Sequence, residues 1–423
     1  MEKIFQLFKI REIRNKIAFI LFVFVVFRLA ANIPIPGIDI ERLKSFFESN
    51  QFFGLLNLFT GGALSNLSLV MLGLGPYITA VIVMQLLTMI FPRLEQIYKE
   101  EGEQGRQKFN QYGRLLTIPF AFLQGYAMLA LLRNQGVVGV LSGWQTLAAL
   151  ATMTAGTVFL MWLGELISER GLGNGVSLLI FAGIVAGFPA ALRQTLATYD
   201  ASQIPSYLGF VLIALVVIVG VVIITEGRRN IPVSYAKRVR GNRVYGGVST
   251  YLPLNVNPAG VIPIIFAISF LLFPGMIGSF LQSASTAWLA STGRFLVGIF
   301  NNQGVVYILI YFTLVVLFTY LYTAVTFDPK NVSNNLQRMG GFIPGIRPGK
   351  STADFLNMIL NRVLLVGAIF LGLVAVAPVV VQNLTGVVTF AVGGTSVLIV
   401  VSVVLETMRQ LESQLTLRDY EGF

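Results

Sequence analysis

Val70-Met71-Leu72-Gly73-Leu74-Gly75-Pro76-Tyr77-Ile78-Thr79-Ala80-Val81-Ile82-Val83-Met84-Gln85-Leu86-Leu87-Thr88-Met89-Ile90-Phe91 contains no charged residue. It is long enough to cross a bilayer as helix, which takes about 20 apolar residues, yet Gly73, Gly75 and Pro76 interrupt it. Part of it is written again further on: Pro76-Tyr77-Ile78-Thr79-Ala80 returns as Pro263-Ile264-Ile265-Phe266-Ala267. A second phrase, Gly175-Val176-Ser177-Leu178-Leu179-Ile180, returns as Gly394-Thr395-Ser396-Val397-Leu398-Ile399. Each copy lies in an apolar stretch. Counted along the chain, the echoes pair the second stretch with the seventh and the fifth with the tenth. Two five-helix halves around a shared axis produce that pattern, and their matched Gly- or Pro-broken helices point to the functional centre.

The rest of the chain agrees. Of 423 residues 55% are hydrophobic and 12% charged, with mean hydropathy +0.76, more apolar surface than a soluble domain can hide. Ten spans are expected, at 17–33, 70–91, 115–132, 145–168, 174–190, 206–225, 257–280, 304–326, 362–381 and 384–405. The runs do not alternate as β-barrel strands would, so the fold class is an all-α polytopic membrane protein.

Every second connection is basic. The segments 1–16, 92–114, 169–173, 226–256, 327–362 and 406–423 hold 24 of the 30 Lys and Arg residues, which puts both termini and the large basic loops in the cytoplasm. The N-terminus has the pattern of an interfacial basic helix rather than a cleaved signal. The net charge of +11 fits contact with anionic lipid, and fits equally an acidic partner such as ribosomal RNA.

Several function classes drop out. With no Cys and no His the chain offers no disulfide, thiolate, zincin or Ser-His chemistry, and no G-x-x-x-x-G-K-[ST] loop binds nucleotide. An enzyme is not expected, nor a cofactor or metal. Apart from Arg362 at an edge, the expected spans contain only Arg28 and Glu165 as charged residues. A secondary transporter or flippase of inverted-repeat design, the competing reading, usually carries more mid-membrane charge.

Two residue-level readings remain open. Ile78, Ile180, Ile265 and Ile399, with Leu74 one turn before Ile78, are either packed or lipid-facing side chains or a ring that closes a pore by dewetting. The apolar run Phe53 to Leu64, too short to span, is either a surface helix or a re-entrant stopper against that ring.

The chain resembles the SecY family, the central subunit of the protein-conducting translocon. The resemblance is carried by Arg28-Leu29-Ala30-Ala31-Asn32-Ile33-Pro34-Ile35-Pro36-Gly37, by Gly61 to Leu64 followed by Leu72 to Ile78, and by Ser168-Glu169-Arg170-Gly171-Leu172-Gly173-Asn174-Gly175. Tyr235-Ala236-Lys237-Arg238, Ser249 to Leu254, Gly340 to Gly349 and the Tyr420 to Phe423 tail extend it over the whole chain. Tyr251 and Asp328 depart from residues frequent in the family, His and Asn.

The resemblance implies a clamshell of ten helices. An N-terminal half spans 1–190 with a plug at about 55–66, a hinge 191–205, a C-terminal half 206–405 with loops 226–256 and 327–361, and a tail 406–423. It implies a channel for unfolded secretory polypeptides that also releases apolar helices sideways into lipid. The pore ring would be Leu74, Ile78, Ile180, Ile265 and Ile399. The plug would be Leu55, Leu56, Leu58, Phe59, Thr60, Gly61, Gly62, Ala63 and Leu64, and the lateral gate would include Gln85 and Asn257. Lys237, Arg238, Arg240, Arg243 and Arg347 would dock the motor ATPase SecA or the ribosome. Implied partners are SecE, SecG and signal-bearing polypeptides, and the implied location is the bacterial inner membrane.

Overall fold

The computed structural model describes residues 10–35, 60, 62–64, 66–134, 136, 138–139, 142–170, 173–197, 204–235, 238–240, 243–245, 249–282, 286–300, 304–385 and 388–421. Helices dominate, and ten of them coincide with the ten expected spans. The first five are α1 (Arg11–Ala31), α2 (Gly75–Ile90), with the short α3 (Pro92–Lys99) after it, α4 (Gly102–Asn134), α5 (Gly143–Glu169) and α6 (Gly175–Ala197). The second five are α7 (Ile204–Glu226), α8 (Ile262–Gln282), α10 (Val305–Thr326), α12 (Lys350–Thr385) and α13 (Val388–Glu421). Two further helices join the second set, α9 (Ala287–Phe300) and α11 (Pro329–Arg338).

Among the described residues, Gly102–Arg133, Gly143–Glu169, Val305–Arg338 and Lys350–Val381 are each long and apolar enough to cross alone. Gly75–Ile90 with Pro92–Lys99 makes a fifth across a 110° bend. Shorter described apolar stretches lie in α6, α7 and α8. The bend has a local cause. Phe91 precedes a proline, whose ring disfavours helical backbone before it, and Phe91 is extended at φ −106° and ψ 107°.

Two spans start differently from the sequence expectation. The second is not helical through 70–74, where a series of turns carries Gly73 at φ +57° and leads into α2 with Pro76 in its first turn. That φ suits glycine, which lacks the Cβ that would clash there. The seventh begins at Ile262, so Pro263 opens the helix rather than kinking it, in the position where a missing N–H costs least. Residues 258–261 are turn, closed by Asn257 Nδ2 donating to the Gly260 carbonyl at 2.9 Å.

One connection expected only as a basic loop is a small sheet. Strand β1 (Arg228–Tyr235) lies between β4 (Ser249–Asn255) and β5 (Gly341–Phe342), antiparallel to both, with register running from Arg228↔Asn255 to Ser234↔Ser249. Between them β2 (Arg238–Arg240) pairs with β3 (Arg243–Tyr245) as a hairpin. Ile231 and Val233 of β1, Leu254, Leu336 of α11, Ile343 and Leu356 of α12 form the sheet's own apolar core. Pro232 is tolerated because β5 pairs with β1 only at Ser234 and Tyr235. The sheet is rooted in the membrane bundle by Arg409 of α13. Its Nε donates to Glu226 Oε1 at 2.7 Å and its Nη2 to the Thr225 carbonyl, capping the C-terminal end of α7.

Helix packing relies on small residues. A Cβ on Gly156 of α5 would stand 2.0 Å from the Leu69 carbonyl oxygen, and one on Gly175 would stand 1.8 Å from that of Gly164. Backbones therefore touch where side chains would hold them apart.

Candidate functional site: an apolar cavity with a polar rim

The first turn of α6 is fixed by two polar side chains of the preceding bend. Ser168 Oγ accepts from Gly175 N at 2.9 Å, and Asn174 Oδ1 accepts from Val176 N and Ser177 N at 3.0 and 3.2 Å. An N-cap of this kind satisfies donors that helix geometry leaves free, and it places Ile180 about one and a half turns along. The start of α2 is fixed similarly: Ile78 N bonds the Leu74 carbonyl at 2.9 Å, and Thr79 Oγ1 bonds that of Gly75 at 3.0 Å while accepting from Gln124 Nε2 of α4 at 3.3 Å.

Ile78 of α2, Ile180 of α6 and Ile265 of α8 then line one cavity of about 220 Å³. Leu74 and Ile399 do not line it, but all five residues are buried members of one continuous apolar cluster; Ile399 of α13 is 0% exposed. The structure thus brings together isoleucines from three helices, two in the first set of five and one in the second, and Ile399 shares with them the wider cluster. Bulky aliphatic groups on this scale exclude water because nothing in their surface hydrogen-bonds it.

The cavity is two-faced. Its other walls include Gln85, Glu165, Ser168, Asn174, Ser177, Tyr77 and Tyr322, a polar rim on the side of the 169–173 connection. Glu165 accepts from Arg114 Nε at 2.6 Å, with the carboxylate 19% and the guanidinium 42% exposed. This ion pair ties α4 to α5 beside the cavity, which Glu165 lines. Sequence reading marked Glu165 but not its partner or its neighbours in space, because the residues that meet at the rim are far apart in the chain.

Of the candidate plug, Thr60, Gly62, Ala63 and Leu64 are described; Leu55, Leu56, Leu58, Phe59 and Gly61 lie outside the described residues. Thr60 Oγ1 accepts from Leu64 N at 3.3 Å, and the Thr60 methyl lies 3.1 Å from where a Cβ on Gly73 would stand. Ala63 belongs to the same apolar cluster as Leu74 and Ile78, while Leu64 belongs to a neighbouring cluster with Leu72 and Met128. The segment is packed against the interrupted start of α2.

Of the gate candidates, Gln85 lines the cavity and also a narrower gap shared by Ile82 and Leu86 of α2, Phe266 of α8 and Phe318 and Tyr322 of α10. Aromatic edges close that gap, Phe266 meeting Phe318 and Tyr322 with centroids 6.1 and 6.0 Å apart. Asn257 is buried at the turn before α8, and its Oδ1 has no partner among the described residues. It stands apart from Gln85, which the structure does not bring to it as a lining neighbour.

Of the docking candidates, Arg347 is exposed and its carbonyl accepts from Thr352 Oγ1 at 2.9 Å. Arg238 and Arg240 lie in β2 and Arg243 in β3; Lys237 lies outside the described residues. Arg228 and Arg229 of β1, which sequence reading did not single out, are also exposed on this sheet.

A family model described as SecY matches residues 68–408. The protein translocase subunit SecY of Streptomyces scabiei is 43% identical over 433 residues, 98% of each chain. That of Mycobacterium leprae is 44% identical over 431 residues, 97% of each. Among solved structures, a SecY studied for a plug domain that stabilizes its closed channel superposes with a TM-score of 0.65 at 22% identity, over 94% of this chain and 91% of that one. Sec61 from a canine ribosome–channel complex gives 0.59 at 19% identity, with the same coverage. At such identities these two report on the fold.

Proposed function

This chain belongs to the SecY family, and from that premise we propose how its own side chains seal, open and dock a path for polypeptide. The protein is a translocase subunit embedded in the membrane by several spans. It is a protein-conducting channel and not an enzyme: unfolded secretory chains cross through it and apolar helices leave it sideways into lipid.

The ring is Leu74, Ile78, Ile180, Ile265 and Ile399. The observation that carries it is the cavity lined by three of these isoleucines, from both sets of five helices, with the other two buried in the same cluster. A collar of aliphatic side chains passes varied residues without binding any one of them, and it closes to ions by dewetting. The plug, at about 55–66, would rest on the broken start of α2. The halves 1–190 and 206–405 would hinge about 191–205, with α2 parting from α8 and α10 beside Gln85 and Asn257. A signal helix would shift this equilibrium only as far as its preference for the open form allows.

Replacing Ile399 or Ile78 with Asn tests the ring. The expected outcome is a higher resting ion conductance in planar bilayers, together with export of a substrate whose signal has been weakened. If both stay at the parental level, the ring assignment is wrong.

The basic sheet and the loop bearing Arg347 form the docking face, with Lys237, Arg238, Arg240 and Arg243, for the SecA motor or for a ribosome. Ribosome-bound Sec61 and Ssh1 share the fold. SecE and SecG would complete the complex in the bacterial inner membrane, with both termini and the basic loops in the cytoplasm. Arg347→Glu is expected to abolish driven export while the membrane complex still assembles. Normal motor binding and normal export in this variant would refute the role.

A further inference from the structure

Helix α9 has no counterpart among the ten spans. At 14 residues it reaches about 21 Å, too short to cross. It folds back along α8. A Cβ on Gly293 would stand 2.4 Å from Gln282 N and 2.7 Å from the Gly278 carbonyl oxygen, and one on Gly278 would stand 2.7 Å from Leu296 Cβ. The two helices therefore touch through glycine backbones as an antiparallel pair, at the end of the bundle away from the basic sheet.

The opposite side of α9 is open. Trp288 is 66% and Phe295 67% exposed, two turns apart on one face. Between them Ser291 Oγ and Thr292 Oγ1 both donate to the Trp288 carbonyl, at 2.8 and 2.9 Å. The hydroxyls are thus satisfied inside the helix, which removes their penalty for leaving water. The single charge on the helix, Arg294, is exposed and has a stem long enough to reach outward. On the neighbouring spans Ile277 of α8 and Val305 and Leu309 of α10 are exposed as well. In a protein that crosses the bilayer, those surfaces face acyl chains.

We propose that α9 is an interfacial helix seated in lipid. Its Trp288–Phe295 face would lie at the boundary between head groups and acyl chains of the leaflet opposite the basic loops, with Arg294 turned to the phosphates. Tryptophan paired with an outward arginine is the chemistry that this boundary selects. Because α9 rides on α8 through Gly278 and Gly293, any sideways travel of α8 drags a lipid-embedded helix with it. The partner of this surface is the bilayer itself.

The chain has three tryptophans, so Trp144→Phe with Trp162→Phe leaves Trp288 as its sole indole. The translocase complex carrying this variant, with any tryptophans of its other subunits replaced, is placed in phosphatidylcholine vesicles brominated either near the head-group end or near the methyl end of the acyl chains. We expect the shallow bromines to remove most Trp288 emission and the deep ones to remove little. Emission unaffected by either lipid would overturn the proposal, whether water or a protein covers the face, and stronger quenching by the deep bromines would overturn the interfacial depth. Should the double variant fail to assemble, Trp288→Phe in the otherwise unaltered chain gives the same reading by difference: it must abolish a shallow-quenched component. Export measured in the same vesicles keeps this result separate from the channel assignment, which survives either outcome.

Discussion

Residue by residue, the tightest constraints in this channel fall on positions with no side chain at all. Gly156 carries the clearest case, because the atom that a methyl group would strike is the backbone oxygen of Leu69, 2.0 Å away, which cannot rotate aside. Gly156→Ala is expected to destabilise the protein by about 1–3 kcal/mol, the usual cost of overpacking, seen as a lower unfolding temperature in detergent. Gly113→Ala is the control: nothing stands within 4 Å of its added methyl, and helix propensity alone should leave it neutral or slightly stabilising. The Arg114–Glu165 pair is half exposed on one side, so a double-mutant cycle with Arg114→Gln and Glu165→Gln is expected to return a coupling of about 1 kcal/mol or less. The identities of these residues were plain in the sequence, but their partners were not. Leu69 and Gly156, or Arg114 and Glu165, meet only because helices pack, and no local pattern encodes that.

At the scale of elements, ten apolar runs gave ten helices because twenty consecutive apolar residues leave a chain little else to form in lipid. The ends were harder to read. Helix α4 begins at Gly102 and α12 at Lys350, well outside the apolar runs at 115 and 362, since helices continue into water on polar residues that hydropathy ignores. The sheet was missed for a related reason. Strand β1, Arg-Arg-Asn-Ile-Pro-Val-Ser-Tyr, buries only Ile231 and Val233 fully, and two alternating positions are too few to stand out in a basic loop. Helix α9 was missed because it is shorter than a span. The sheet's separate core makes a prediction at this level. Leu336→Ala removes a buried side chain from it and is expected to cost the sheet about 2–4 kcal/mol. Hydrogen exchange should rise across 228–255 and 341–343 while the protection of α2, α6, α8 and α13 is unchanged. Uniform loss of protection would show that sheet and bundle form one cooperative unit.

For the whole molecule, the internal echoes were the most telling signal in the chain. The residues they selected, Ile78, Ile180, Ile265 and Ile399, lie in one apolar cluster to which both sets of helices contribute. Pseudo-symmetry is visible in sequence because matched helices meet matched surroundings; the gap between α2, α8 and α10 is not, because it depends on how far apart the halves stand. Since the chain has no cysteine of its own, Gln85→Cys with Phe266→Cys introduces its only two thiols, both on that gap. Oxidation is expected to bond α2 to α8 and to stop both export and lateral release of apolar helices, and reductant is expected to restore them. Export that continues with the bond in place would mean that the path does not require these helices to part.

Arg409 and Ile399 sit on the same helix, ten residues apart, hence about 15 Å along its axis. One end is bolted to the stalk of the basic sheet through Glu226 and Thr225; the other carries an isoleucine of the proposed ring, buried in the apolar cluster. Were the proposed ring to seal the path, a push delivered to the sheet would reach it along this one helix, with no relay of rearranging side chains in between.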